Sequence, residues 1–171
     1  MREDIARQLA EDKEAMPKDD RNDDPGTGSG TISLLTLTLH VEGRPSRTWQ
    51  LDNPEVLTEM KTKALVLAES CRYRMVIGFR ADGGSVRGTK YTTNRYRKGL
   101  RVDQDQMMVG SFSPRDNPQS VTIPRHDWDE APSGMLNRGH YNVKTVFHDD
   151  DNKLVAELEY AVDITRDWPA A

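Results

Sequence analysis

From Thr31 onward, apolar residues recur mainly with a period of two, the spacing of strands with one buried side. Ile32, Leu34, Thr36 and Thr38 alternate with Ser33, Leu35, Leu37 and Leu39, and the apolar side changes partway, which predicts a bend or bulge. Trp49 and Leu51 mark a short second strand, ended by Asp52-Asn53-Pro54, and Ala64 to Ala68 a third. Tyr73, Met75, Ile77 and Phe79 alternate with Arg72, Arg74, Val76, Gly78 and Arg80, a half-buried strand with a basic outer side. Asp82-Gly83-Gly84 then turns the chain into a strand over Val86 to Arg97. Met107 to Phe112 and Ser120 to Ile123 follow, punctuated by Pro114, Pro118 and Pro124. After a turn at Pro132-Ser133-Gly134, Tyr141, Val143, Thr145 and Phe147 share one side. The clearest face is the last, made by Leu154, Ala156, Leu158, Tyr160, Val162 and Ile164, with Asp149 to Lys153 as the hairpin before it. Eight or nine strands without an internal helix predict an all-β sandwich or barrel of antiparallel sheets, each with one wet face.

The first thirty residues have a different pattern. Residues 2–16 read as a weak amphipathic helix, with Ile5 and Leu9 four apart and Glu3 and Asp4 in the first turn. Two large apolar residues do not hold a helix alone. From Lys18 to Gly30 there is no apolar side chain, which predicts a linker. The expected organisation is therefore a flexible, partly helical arm over 1–30 and a sandwich over 31–171.

Composition narrows the function classes. Of 171 residues 35% are apolar, and the mean hydropathy is −0.79. The longest apolar run, Ala64 to Ala68, is far short of the roughly 20 residues that span a bilayer as a helix. Residues 1–24 are too charged for a secretory signal, and the single Cys71 cannot form an internal disulfide. A cytoplasmic location is expected. The net charge is −4, yet Arg72 to Arg101 is strongly basic, with Asp82 its one acidic residue. Such a stripe could meet phosphates or could simply be the wet face of a strand pair; the acidic remainder favours the second.

Catalytic machinery is not legible. Cys71 beside Arg72 reads as a structural cysteine at a strand start. His40, His126, His140 and His148 lack metal-ligand spacing, and no glycine-rich loop opens a helix. Neither enzyme activity nor a cofactor is expected. Asp149-Asp150-Asp151 has three readings: a calcium site, a solvated turn, or a docking point for a partner's arginine.

Several blocks of the second half resemble the Rho GDP-dissociation inhibitor family. They are Lys90-Tyr91, Tyr96-Arg97-Lys98-Gly99, Met108-Val109-Gly110-Ser111-Phe112 with Pro114-Arg115, and Glu130-Ala131-Pro132-Ser133-Gly134-Met135-Leu136-Asn137-Arg138-Gly139-His140-Tyr141. Phe147-His148-Asp149-Asp150-Asp151 and Asp167-Trp168 complete the set, in the family's order and near its spacing. The resemblance implies an immunoglobulin-like antiparallel β-sandwich, in agreement with the strand count. It also implies a carrier that extracts geranylgeranylated, GDP-bound Rho-family GTPases from membranes, buries the lipid between two sheets and slows GDP release. Such a carrier is expected to be a monomer that forms a heterodimer with its GTPase, meets membranes transiently and has no nucleic-acid partner.

Carried over position by position, the resemblance implies lipid-slot walls at Leu39, Leu65, Leu67, Tyr73, Phe79, Leu136, Val143, Leu158 and Tyr160. Each is equally suited to ordinary core packing. Leu158 and Tyr160 stand where the animal pattern commonly has tryptophans, and Leu65 where it has phenylalanine. Asp150 and Asp151 match carboxylates that meet an arginine near switch II of the GTPase, whereas Asp129 and Glu130 match an acidic surface for its basic tail. In the arm, Asp4, Ile5 and Leu9 are implied GTPase contacts. The alternative from another class is a calcium-dependent membrane-binding sandwich using Asp149 to Asp151. It predicts a second carboxylate loop, which the sequence does not supply.

Overall fold

A computed structural model describes residues 30–169. Its strands are β1 (Thr31–Val41), β2 (Arg47–Gln50), β3 (Leu65–Ala68), β4 (Arg72–Asp82), β5 (Val86–Arg97), β6 (Leu100–Phe112), β7 (Gln119–Ile123), β8 (Asp129–Glu130), β9 (Gly139–His148) and β10 (Leu154–Thr165). One helix, α1 (Pro54–Thr62), lies between β2 and β3. Two five-stranded sheets result. One runs β2-β1-β4-β7, with β8 also on β4, and the other β3-β10-β9-β5-β6. The inward side chains of both sheets make one core, including Leu37, Leu39, Ile77 and Phe79 from the first and Leu67, Val143, Phe147 and Leu158 from the second. The expected two-sheet sandwich is what forms. Among the described residues, no helix is long and apolar enough to cross a membrane.

The change of face in the first strand is a bulge. The β1–β4 register shifts between Leu34 and Thr36, so that Ile32 is buried before it and Leu37, Leu39 and Val41 after it. A second shift falls between Leu154 and Ala156. It corrects the expected face of β10: Val155 is buried and Leu154 exposed, and the regular inward set begins at Leu158.

Three further expectations are corrected. Helix α1 exists, and Asp52-Asn53-Pro54 is its start as well as the end of a strand. Asn53 caps it by accepting from the Glu55 amide at 3.0 Å, Pro54 supplies a fixed φ in the first turn, and Met60 is buried. The pairing is also not wholly antiparallel, because β3 runs parallel to β10, with Val162 opposite Leu65. The helix brings the chain to the edge of the other sheet, where no hairpin dictates direction. Finally, β6 begins at Leu100 rather than near Met107; its first seven residues are all exposed, so no alternation marks them.

Candidate functional site

The basic stripe mostly finds partners within the chain. Arg72 lies 3.3 Å from Glu42 and 3.4 Å from Asp127, and the Arg74 guanidinium stacks 4.4 Å from the Trp128 ring centre. Arg95 reaches Asp103 at 2.9 Å and Asp105 at 2.8 Å across the β5–β6 pair. Burial is the largest single effect and works against its charge, but the hydrogen bond to Asp105 and the attraction of the surrounding groups together outweigh it, so Arg95 stays cationic beside the core.

Arg95 also borders a cleft of about 70 Å³ between the sheets. Tyr73 and Met75 of β4 form one wall; Tyr91, Val143 and Tyr160 form the other, with Leu67 and Ile164 beside them. Three tyrosine hydroxyls sit in this apolar setting. Burial raises the pKa of Tyr73, Tyr91 and Tyr160, so all three remain neutral donors near pH 7. Tyr73 donates to Asp129 at 3.4 Å and Tyr160 to the Met75 sulfur at 3.6 Å. The latter is a weak tether, because a thioether is a weak acceptor. Beyond the cleft wall, Thr93 and Thr145 share a buried hydrogen bond of 3.0 Å.

Of the nine slot residues expected from the resemblance, Leu67, Tyr73, Val143 and Tyr160 line this cleft. Leu39, Phe79 and Leu158 are buried elsewhere in the inter-sheet core, Phe79 with its ring 4.7 Å from that of Phe112. Leu65 borders a separate 170 Å³ pocket under α1, which shares Tyr160 as a wall. Leu136 is not in the cleft: it stands 88% exposed on the loop before β9. Sequence reasoning missed Met75, Tyr91, Arg95, Ile123 and Tyr141 as cleft residues. Their inward phase was legible for Met75 and Tyr141, but not which stretch of core would be left open.

Carboxylates occupy both ends of the sandwich. Asp129 lines the cleft and Glu130 follows it on β8, exposed and opposite Arg72. At the far end, Asp149 is buried, and its Oδ1 accepts from the amides of Asp151 and Lys153. That bonding makes Asp149 the brace of the turn and leaves Asp150 and Asp151 exposed. All three carboxylates lie within 4.8 Å of one another. Gly88 lets Asp150 approach: its φ is +56°, and a Cβ there would lie 2.9 Å from the Asp150 Cβ. Gly30, where the arm joins, donates to Ser85 O at 3.2 Å, and Lys153 reaches its carbonyl at 3.4 Å. Gly30, the first described residue, therefore lies at the same end of the sandwich as Asp150 and Asp151. Its expected contact residues Asp4, Ile5 and Leu9 lie outside the described residues.

Fold and site together define a class: a mostly β, two-sheet sandwich with a tyrosine-lined apolar cleft between its sheets and exposed carboxylates at each end. Residues 13–167 match the family model described as RHO protein GDP dissociation inhibitor. A putative rho GDP-dissociation inhibitor 1 from Dictyostelium discoideum is 46% identical over 137 residues, covering 80% of this chain and 70% of that protein. Rho GDP-dissociation inhibitor 1 from Bos taurus is 36% identical over 145 residues, 85% of this chain and 68% of that one. The Rho GDP-dissociation inhibitor of Schizosaccharomyces pombe is 30% identical over 144 residues, 84% and 69% of the two chains. The chain belongs to the Rho GDP-dissociation inhibitor family, whose members are non-enzymatic regulators.

Proposed function

We propose that this protein binds geranylgeranylated, GDP-bound Rho-family GTPases in the cytoplasm, withdraws them from membranes and slows GDP release. The observation that carries the lipid part is the apolar cleft between the sheets, with Asp129 at its edge. Burying a geranylgeranyl tail there gains on the order of 10 kcal/mol gross, at about 0.8 kcal/mol per CH₂. The bilayer offers the tail a comparable refuge, so contacts with the GTPase decide the direction of transfer. A cleft of 70 Å³ holds roughly two waters, far less than such a tail, so the walls must move to admit it. Tyr160, which donates to a weak thioether acceptor and is shared with the pocket under α1, is the wall best placed to do so.

The charged ends take the remaining roles in this reading. Asp129 and Glu130 receive the basic segment that precedes the lipidated cysteine. Asp150 and Asp151 meet an arginine near switch II, at the same end as the arm's point of entry. These carboxylates favour rapid, salt-sensitive association.

Titration with a fluorescent geranylgeranyl-cysteine peptide, with calcium and with chelator, tests the proposal. Saturable binding independent of calcium is expected. No binding would remove the carrier function, and binding only with calcium would favour the membrane-binding alternative through Asp149 to Asp151.

A further inference from the structure

The loop between β8 and β9 presents two large apolar side chains to solvent, Met135 at 79% and Leu136 at 88% exposure. The loop that carries them is firmly braced. Glu69 accepts from the Gly134 amide at 3.0 Å and from the Arg138 guanidinium at 2.8 Å. Asn137 closes the loop by donating to Ser133 O at 2.7 Å, and the Tyr141 hydroxyl donates to Asn137 O at 2.7 Å. Arg97 donates to the carbonyls of Leu136 and Arg138, with its guanidinium 4.8 Å from the Tyr141 ring centre. These bonds tie the loop to the β5–β6 hairpin, where Arg97 pairs with Leu100, itself 72% exposed. Three exposed apolar side chains thus stand on adjoining supports. Lys98 and Arg101 are exposed on that same hairpin, and neither forms an ion pair among the described residues.

We propose that Met135, Leu136 and Leu100, with Lys98 and Arg101 around them, form a surface that docks on an anionic lipid bilayer. Apolar side chains on a rigid tip enter the acyl boundary while cations meet the headgroups. The local positive charge is notable in a chain whose net charge is −4. The position has a use, because Pro132 at the loop's base and Tyr141 at its brace both line the cleft. A bilayer held at this tip lies next to the cleft between the sheets. That use rests on the lipid-carrier reading; the docking surface itself does not.

Flotation of the full chain with vesicles of phosphatidylserine and phosphatidylcholine tests the surface, with the geranylgeranyl-cysteine peptide titrated in parallel. The parent protein is expected to float with the anionic vesicles, less at high salt and less with phosphatidylcholine alone. Met135→Ser/Leu136→Ser should cut flotation at least about tenfold, the scale of removing one Leu-sized side chain from apolar surroundings. Lys98→Glu/Arg101→Glu should cut it by about the same factor. Peptide affinity should hold in both. Since all four side chains project into solvent, unchanged thermal melting is expected, and Leu100→Ser supplies an independent variant. No flotation by the parent, or flotation unchanged in Met135→Ser/Leu136→Ser, would overturn the proposal. Loss of peptide binding in that variant would also overturn it, making the tip part of the lipid slot. Flotation without any peptide binding by the parent would defeat the carrier reading and leave the docking surface standing.

Discussion

Tyr160 is a buried wall residue of the inter-sheet cleft. It separates the inter-sheet cleft from the pocket under α1. Tyr160→Arg places a second cation, beside Arg95, in the apolar wall of the cleft, and should weaken geranylgeranyl-peptide binding at least about a hundredfold. Tyr160→Phe keeps the ring and loses the hydroxyl's bonds to Met75 and Thr145, so its affinity should stay within a few-fold of the parent. Peptide titration separates the two; near-parental binding by Tyr160→Arg would sink the slot assignment. The alternation in the last strand made Tyr160 legible as inward-facing. By contrast, Leu136 was assigned to the same slot from its place in a motif, and the structure puts it in solvent. A motif records which residues occur together, not which way a loop turns them.

Elements succeed or fail as sequence signals according to how much of their pattern is local. Helix α1 carried a full local signature in Asn53, Pro54, Glu55 and Lys61, yet it was obscured by its short length between strands. Asn53→Ala should remove the cap and lower stability by about 1 kcal/mol, within the 0.5–2 range for such losses, as measured by chemical denaturation. The loop at Met135 depends instead on Glu69, 65 residues away from Gly134 in sequence. The Arg138 hydrogen bond holds the Glu69 carboxyl below its ordinary 4.5, against the opposing effect of desolvation. Its contribution is therefore fully present above the unfolded pKa and is lost as pH falls through the lower folded value. The protection of the Gly134 amide, taken relative to its intrinsic exchange rate at each pH, should fall on acidification below pH 4.5, and Glu69→Gln should show that lower protection, as faster exchange than the parent, already at pH 7. Equal exchange in parent and variant at neutral pH would count against the brace.

At the scale of the molecule, the two ends of the sandwich separate the two halves of the proposed function. Six residues of extended strand and turn lie between Val143 in the cleft wall and Asp150, a span of roughly 20 Å. In the proposed function, lipid capture and contact with the GTPase switches are therefore expected to be separable by mutation. Deleting residues 1–16 should raise GDP release from a bound GTPase more than it lowers affinity for the geranylgeranyl peptide, as read by nucleotide-release kinetics beside the peptide titration. Equal effects on both would contradict separate roles.

What the sequence alone determined was the part written in short-range pattern: strands from a period of two, the bulge in β1 from the change of apolar side, the turns from glycine and proline, and the family from ordered motif blocks. The tertiary structure decided what depends on partners distant in sequence. The parallel contact of β3 with β10 follows from where α1 delivers the chain, and the exposed first half of β6 is held by β5 rather than by its own alternation. Whether an inward-facing residue packs in solid core or borders open space is likewise decided by the opposing sheet. Leu158 and Tyr160 share one face of one strand, yet only Tyr160 lines the cleft, because space between sheets belongs to both of them and to neither sequence segment alone.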